Sequence, residues 1–336
     1  MGDLAQIGGI HDTPRSKGGQ LHHKHMYRLC CRRIVLTDLA PSLYSPPSTK
    51  SSLCPENIVA MDTKVAPNSY VDVHCHLLPG LDDGAKDWAQ TVAMARIAVD
   101  ETIQTVIATP HQLGSYSQNH GQQIRLLARE AQDVLNHENV ALRVLPGADV
   151  RIEDCMVPEL VTGKILTLAD QGKHVLLELP HELYFSLTPV LKELEANQFV
   201  GILSHPERNH GLLHDRKPIR SLVDQGCLMQ ITAGSLLGNF GKASQSLAEW
   251  MIQQRLVHFV ATDAHGDKSR RPHMRRAFEC IIQLSDEQNA WNLCFRNGHK
   301  ISLGQDIPQG IHVPMDNLSS SWFGWKWNRR QKNIAV

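Results

Sequence analysis

Two histidines one residue apart, His74 and His76, sit inside the stretch VDVHCHLLPGLDDG at residues 71–84. Asp72, His74 and His76 alternate through an apolar run, so a strand over residues 70–78 projects all three from one face and turns Cys75 the other way. Imidazoles side by side at a strand end, followed by a Pro-Gly turn that carries Asp82 and Asp83, supply both the ligands and the loop of a metal site. A strand with two incidental histidines is the competing interpretation. Repetition of the same signal downstream counts against it.

These residues need a scaffold, and the pattern supplies one. Strand-like runs recur at residues 70–76, 105–109, 140–146, 174–179, 199–204, 227–232 and 257–262. Helical periodicity fills most gaps, at 87–101, 124–135, 186–196, 219–225, 243–255 and 273–284. Strand alternating with helix predicts an α/β fold with a parallel sheet and right-handed crossovers, and seven such strands predict a (β/α) barrel. Functional residues then belong at the C-terminal strand ends. Six of the seven predicted strands end that way, on a histidine or carboxylate: HCH, Thr109-Pro110-His111, Gly147-Ala148-Asp149, Glu178 in LLELPH, Ser204-His205-Pro206-Glu207-Arg208 and Thr262-Asp263-Ala264-His265.

The candidate ligands are His74, His76, Asp83, His111, Asp149, Glu178, His205, Asp263 and His265. All offer nitrogen or oxygen and none a thiolate, which suits manganese, iron or zinc in an open hydrolytic site better than a closed structural zinc. Nine ligands exceed the needs of one ion, and Asp149 and Glu178 can bridge, so two or three ions are implied. Clustered divalent ions lower the pKa of a shared water and clamp the oxygens of a phosphoryl transfer, so the expected reaction is metal-assisted hydrolysis of a phosphate ester. Arg208, three residues after His205, is either a clamp for a phosphate oxygen or a salt bridge at the barrel rim. Arg270 and Arg271 are a second candidate clamp. The run QITAGSLLGNFG at residues 230–241 is either a close approach of backbone to ligand or a plain strand-to-helix loop.

Composition narrows the alternatives. The 34 basic residues balance the 34 acidic ones, so nothing global argues for nucleic acid or an anionic membrane. No apolar run is long enough to span a bilayer. Eight cysteines without a C-x-x-C pair fit a reducing, cytoplasmic compartment. No cysteine is followed six residues later by arginine, and G-x-x-x-x-G-K-[ST], G-x-S-x-G and G-x-G-x-x-G are all missing. Residues 1–66 are rich in Gly, Ser, Pro and basic residues and are expected to be a disordered extension, with His22, His23, His25, Cys30 and Cys31 in a solvated basic tail and Met61 a possible alternative start. Residues 67–312 form the expected catalytic domain. The tail over 313–336 places Trp322, Phe323, Trp325 and Trp327 beside Lys326, Arg329, Arg330 and Lys332, for contact with a membrane surface or partner or for packing on the barrel.

The motifs VDVHCHLLPGLDDG, ATPH, LLELP, SHPER, QITAGSLLGNFG and ATDAH, in that order, resemble the PHP (polymerase and histidinol phosphatase) superfamily. Within it, LPGLDDG, HPER and AGSLLGNFG resemble the bacterial capsule-type protein-tyrosine phosphatases of the CpsB/CapC kind. The likeness covers about residues 70–306. It implies a distorted seven-stranded (β/α) barrel with a three-ion, typically manganese-loaded site. One ion falls to His74, His76, Asp149 and Asp263, a second to Asp149, Glu178 and His205, and a third to Asp83, His111 and His265. It also implies catalytic roles for Arg208, Asp263 and His265, and a phosphotyrosyl protein as substrate. By the same resemblance, that substrate is expected to be a tyrosine kinase controlling capsular or exopolysaccharide synthesis and export. The family usually has glutamate where this chain has Asp149, a shortening by one methylene that bears on the number of ions. A phosphoesterase for a small phosphate such as histidinol phosphate, and a metal-binding regulatory barrel without catalysis, are the alternatives.

Overall fold

The computed structural model describes residues 69–307. The extension over 1–66, with Met61 and its His/Cys cluster, and the aromatic tail over 313–336 lie outside the described residues.

Nine strands follow in chain order: β1 (Tyr70–Cys75), β2 (Ile103–Ala108), β3 (His111–Gln112), β4 (Arg143–Pro146), β5 (Asp149–Arg151), β6 (His174–Glu178), β7 (Val200–Ser204), β8 (Leu228–Thr232) and β9 (Phe259–Ala261). All pairings between them are parallel. They form a three-stranded sheet, β1-β2-β4, and a six-stranded sheet, β3-β5-β6-β7-β8-β9. Among the described residues the strand pairings form two parallel sheets rather than one closed ring of seven strands. The reason lies at two interruptions. Pro110, with no N–H for a ladder, separates β2 from β3, and Gly147-Ala148 separates β4 from β5. Gly147 is needed there, because a Cβ on it would stand 2.7 Å from Ile107 Cγ2.

The two sheets meet at an isolated parallel bridge between Cys75 and Ala264. Asp263 N–H donates to the carbonyl of His74 at 2.8 Å, and His76 N–H to that of Ala264 at 2.9 Å. The chain leaving β9 thus runs beside the end of β1, which brings Asp263 and His265 to the two histidines.

β1 is buried along its whole length, as suits a parallel strand covered on both faces. Its alternation is broken by a register shift between Asp72 and Cys75. Asp72 consequently does not join His74 and His76, contrary to the simple period-two expectation. Its carboxylate accepts from the N–H of Thr262 at 2.9 Å, from the hydroxyl of Thr262 at 2.5 Å and from the N–H of His74.

Helices cover the sheets. Asp87 caps the helix Trp88–Asp100 by accepting from Gln90 N–H at 2.8 Å. The helix Gly121–His137 buries Ile124, Ala128, Ala131 and Leu135, spaced to one stripe. A smaller apolar cluster joins Val71, Val73, Ile107, Leu176, Ile202 and Phe259. Each precedes the histidine or carboxylate of its own strand end, so the cluster floors the site with close-packed apolar side chains.

Candidate metal centre

The ends of β1, β2–β3, β5, β6 and β9 deliver imidazoles and carboxylates to one place. His74 Nε2 lies 3.2 Å from His76 Nε2, 3.5 Å from Asp149 Oδ2 and 3.4 Å from Asp263 Oδ1. His111 turns Nδ1 toward Asp149 Oδ2 at 3.4 Å and Glu178 Oε2 at 3.7 Å, and Nε2 toward Asp83 Oδ1 at 3.5 Å. His265 Nε2 lies 3.4 Å from the same Asp83 oxygen. Three sets of ligand atoms each fit within 4.8 Å: His76, Asp83, His111 and His265; His74, His76 and Asp149; and His111, Asp149 and Glu178.

These groupings differ in detail from the sets implied by resemblance. His76 and His111 each belong to two sets, and Glu178 meets His111 rather than His205. Neither His205 nor Asp263 joins any of them among the described residues. His205 adopts a left-handed backbone, φ 33°, and its ring stacks on His181 with centroids 5.5 Å apart, 5.7 Å from the ring of His74. Non-glycine residues at positive φ cost of order 1–3 kcal/mol and cluster at functional sites. Asp263, at φ 49°, and Arg270, at φ 47°, share that conformation here.

The donor set fits a divalent cation. Both carboxylate oxygens of Asp149 are buried without a hydrogen-bond partner, and so is Nδ1 of His111. A buried carboxylate so placed is costly unless a cation faces it. Burial opposes ionisation of Asp149, yet His74 and His111 hold its carboxyl well below the usual range. Burial and the charge of Asp149 push Glu178 up to about 7. Burial would lower His76, but Asp82 and Asp263 outweigh it and raise the imidazole to about 10. Burial and the charge of His76 lower His265 to about 4.

Asp263 has two different oxygens. Oδ1 faces His74 Nε2, His76 Nε2 at 3.5 Å and His265 Nδ1 at 3.5 Å. Oδ2 accepts from Arg208 and, at 2.6 Å, from Arg270. Arg271 is exposed and makes no ion pair with any of these groups among the described residues, so the structure separates the two arginines of the second expected clamp.

Several supporting residues carried no spacing signal. Gln230 on β8 places Oε1 2.8 Å from His74 Nδ1, and a lone glutamine in a strand gives no hint of this. Asp82, visible in the sequence only as an acidic neighbour of Asp83, places Oδ2 2.7 Å from His76 Nδ1. Tyr116 stacks on His111 at 5.3 Å, and Arg151 lies 3.8 Å from Glu178 Oε2. Such contacts to the far side of a ligand fix its tautomer and orientation.

The family described as capsular polysaccharide synthesis, CpsB/CapC, matches residues 70–302. The tyrosine-protein phosphatase YwqE of Bacillus subtilis is 36% identical over 212 residues, 62% of this chain and 82% of the relative. The tyrosine-protein phosphatase CpsB of Streptococcus pneumoniae is 25% identical over 243 residues, 70% of this chain and 100% of the relative. A solved structure from work on YwqE and CpsB, described as unique metal-dependent tyrosine phosphatases, superposes with a TM-score of 0.68 at 33% identity. That alignment covers 70% of this chain and 96% of the solved one.

Proposed function

Because the chain belongs to the CpsB/CapC family of capsular polysaccharide synthesis, we propose that it is a metal-dependent protein-tyrosine phosphatase. The observation that carries this proposal is the double environment of Asp263, with histidine nitrogens facing one oxygen and two guanidinium groups on the other. A cation site and an anion clamp sharing one carboxylate suit a phosphate monoester, whose charged oxygens need both.

The ligands would be drawn from His74, His76, Asp83, His111, Asp149, Glu178, His205, Asp263 and His265, with manganese as the resident metal, two or three ions, and iron or zinc as substitutes. When bound, the ions supply an acidified water and neutralise charge on the phosphoryl group. The chain's own residues do the rest. Arg208 and Arg270 offer planar N–H forks to non-bridging phosphoryl oxygens, and on this account exchange Asp263 Oδ2 for substrate. The apolar floor keeps bulk water from below, which strengthens each of these charge interactions.

The finer points are part of the same proposal. The substrate is a phosphotyrosyl protein of capsule or exopolysaccharide synthesis, a bacterial tyrosine kinase, met in the cytoplasm. Among the described residues no helix is long and apolar enough to cross a membrane. The two sheets are read as sides of one distorted barrel, supported by the bridge from Cys75 at the end of β1 to Ala264 just past β9 and by the short interruptions at residues 109–110 and 147–148. Activity is assigned to residues 67–312, so deletion of residues 1–60 should leave turnover intact. Substrate class is tested by rates on a phosphotyrosyl peptide, a phosphoseryl peptide and histidinol phosphate. Preference for the first is expected, and preference for histidinol phosphate would move the chain to small-molecule hydrolysis.

A further inference from the structure

Phe240 stands where two arginines meet. The Cζ of Arg208 lies 4.4 Å from the centroid of its ring and that of Arg270 lies 6.0 Å away. Both guanidinium groups reach Asp263 Oδ2, one from the loop after β7 and one from the loop after β9. Two like charges on one carboxylate oxygen repel each other, and an aromatic face is the group that attracts both.

The loop bearing Phe240 is built to hold it. A Cβ on Gly234 would stand 3.0 Å from the Phe240 ring, so the small residue there makes room for the ring. Asn239 N–H closes the loop onto the carbonyl of Gly234 at 2.9 Å. Glu207, fully buried between His205 and Arg208 in sequence, accepts from Thr232 N–H at 2.9 Å and from the Ser235 hydroxyl at 2.7 Å. The loop that supplies Arg208 is thereby tied to the loop that supplies Phe240. The small residues of AGSLLGNFG thus serve an aromatic platform. Nε of Arg270 is buried without a hydrogen-bond partner, although its Nη2 is engaged.

We propose that Phe240 is the positioning residue of the phosphate clamp, holding Arg208 and Arg270 side by side so that both forks close on the oxygens of one phosphoryl group. The proposal deepens the phosphatase assignment and rests on it for the identity of the substrate. Phe240 touches the arginines and not the reacting atoms, so its removal weakens phosphate capture without emptying the metal ligands.

The test compares wild type, Phe240→Leu and Phe240→Tyr as full-length manganese-loaded protein. Inorganic phosphate binding is read by titration calorimetry, and KM and kcat are read on a phosphotyrosyl peptide. Phe240→Leu keeps an apolar side chain and loses the π-face, and should raise both the phosphate Kd and KM about tenfold. Bound metal per chain and unfolding midpoint should stay at wild-type values, and Phe240→Tyr should lie within about twofold of wild type. In an Arg208→Lys background the leucine effect should shrink, because a point charge without a planar fork gains less from the platform. Unchanged phosphate affinity in Phe240→Leu, an equal loss in Phe240→Tyr, or full additivity with Arg208→Lys overturns the proposal. Since phosphate binding is read apart from turnover, a wild type that binds phosphate but ignores phosphotyrosine would refute the substrate assignment and leave this test standing.

Discussion

The carboxylate of Asp82 sits 2.7 Å from Nδ1 of His76, and this contact decides which nitrogen of His76 faces the site. With Nδ1 held at Asp82, His76 turns Nε2 toward His74 Nε2 and Asp263 Oδ1. Asp82 also accepts from His111 N–H at 3.0 Å and Gly84 N–H at 2.9 Å, so one side chain aligns two candidate ligands. Asp82→Ala should therefore lower manganese affinity by about 10- to 100-fold. Competition against a chelator of known affinity measures it, and wild-type affinity in the variant would contradict this role.

The same turn leaves no space at Gly84. A Cβ there would meet the carbonyl oxygen of His76 at 2.3 Å and its Cβ at 2.5 Å. Neither atom can swing away, because both belong to His76, whose N–H is bonded to the Ala264 carbonyl and whose carbonyl accepts from Ala85 N–H. Gly84→Ala should cost on the order of 3 kcal/mol or more. Urea unfolding gives the number, and a loss below about 1 kcal/mol would show that the turn rearranges freely.

Two histidines remote from the site tie stability to pH. Burial lowers His258 to about 4, where its Nδ1 accepts from Met229 N–H at 3.1 Å. Burial, with Lys173, lowers His174 to about 4. In each case the unfolded chain takes a proton near pH 6.5 and the folded chain only near 4. Their contribution is fully present above about 6.5 and is lost as pH falls toward 4, on the order of 3 kcal/mol for each histidine. Unfolding of chelator-treated protein from pH 7 to 4.5 should be steeper in wild type than in the double variant His174→Gln/His258→Gln. Equal slopes would exclude these two groups as the cause.

How much of this was legible beforehand depends on the kind of residue. His74, His76, Asp83, His111, Asp149, Glu178, Asp263 and His265 announce themselves because strand ends in α/β folds are sites and these residue types recur there. The sequence could not reveal that β1 slips register after Asp72, since a period-two pattern looks the same with or without a bulge. Nor could it split β2 from β3: Pro110 was visible, but its effect on the ladder depends on which strand lies beside it. Phe240 read as one apolar residue in a glycine-rich loop, because a contact across three loops leaves no spacing. Adjacent Arg270 and Arg271 looked equivalent, and the φ of 47° at Arg270 is what sends them to different places.

Removing metal should destabilise the protein, because Asp149 and Asp263 would keep their buried charge with only histidines and arginines beside it. A ligand held at a thousand times its Kd adds about 4 kcal/mol to the folded state. Exhaustive chelation should lower the unfolding midpoint by several degrees, and manganese should restore it. An unchanged midpoint would mean that the residues do not bind the ion in the folded state.

The central claim is that the convergent histidines and carboxylates hydrolyse phosphotyrosine with bound metal. Its most direct test is release of phosphate from a phosphotyrosyl peptide by protein stripped with chelator and then reloaded with manganese, beside Asp263→Ala. No release is expected after stripping, with recovery on reloading and none from the variant. Turnover by stripped protein or by Asp263→Ala, or none from fully loaded wild type, would contradict it.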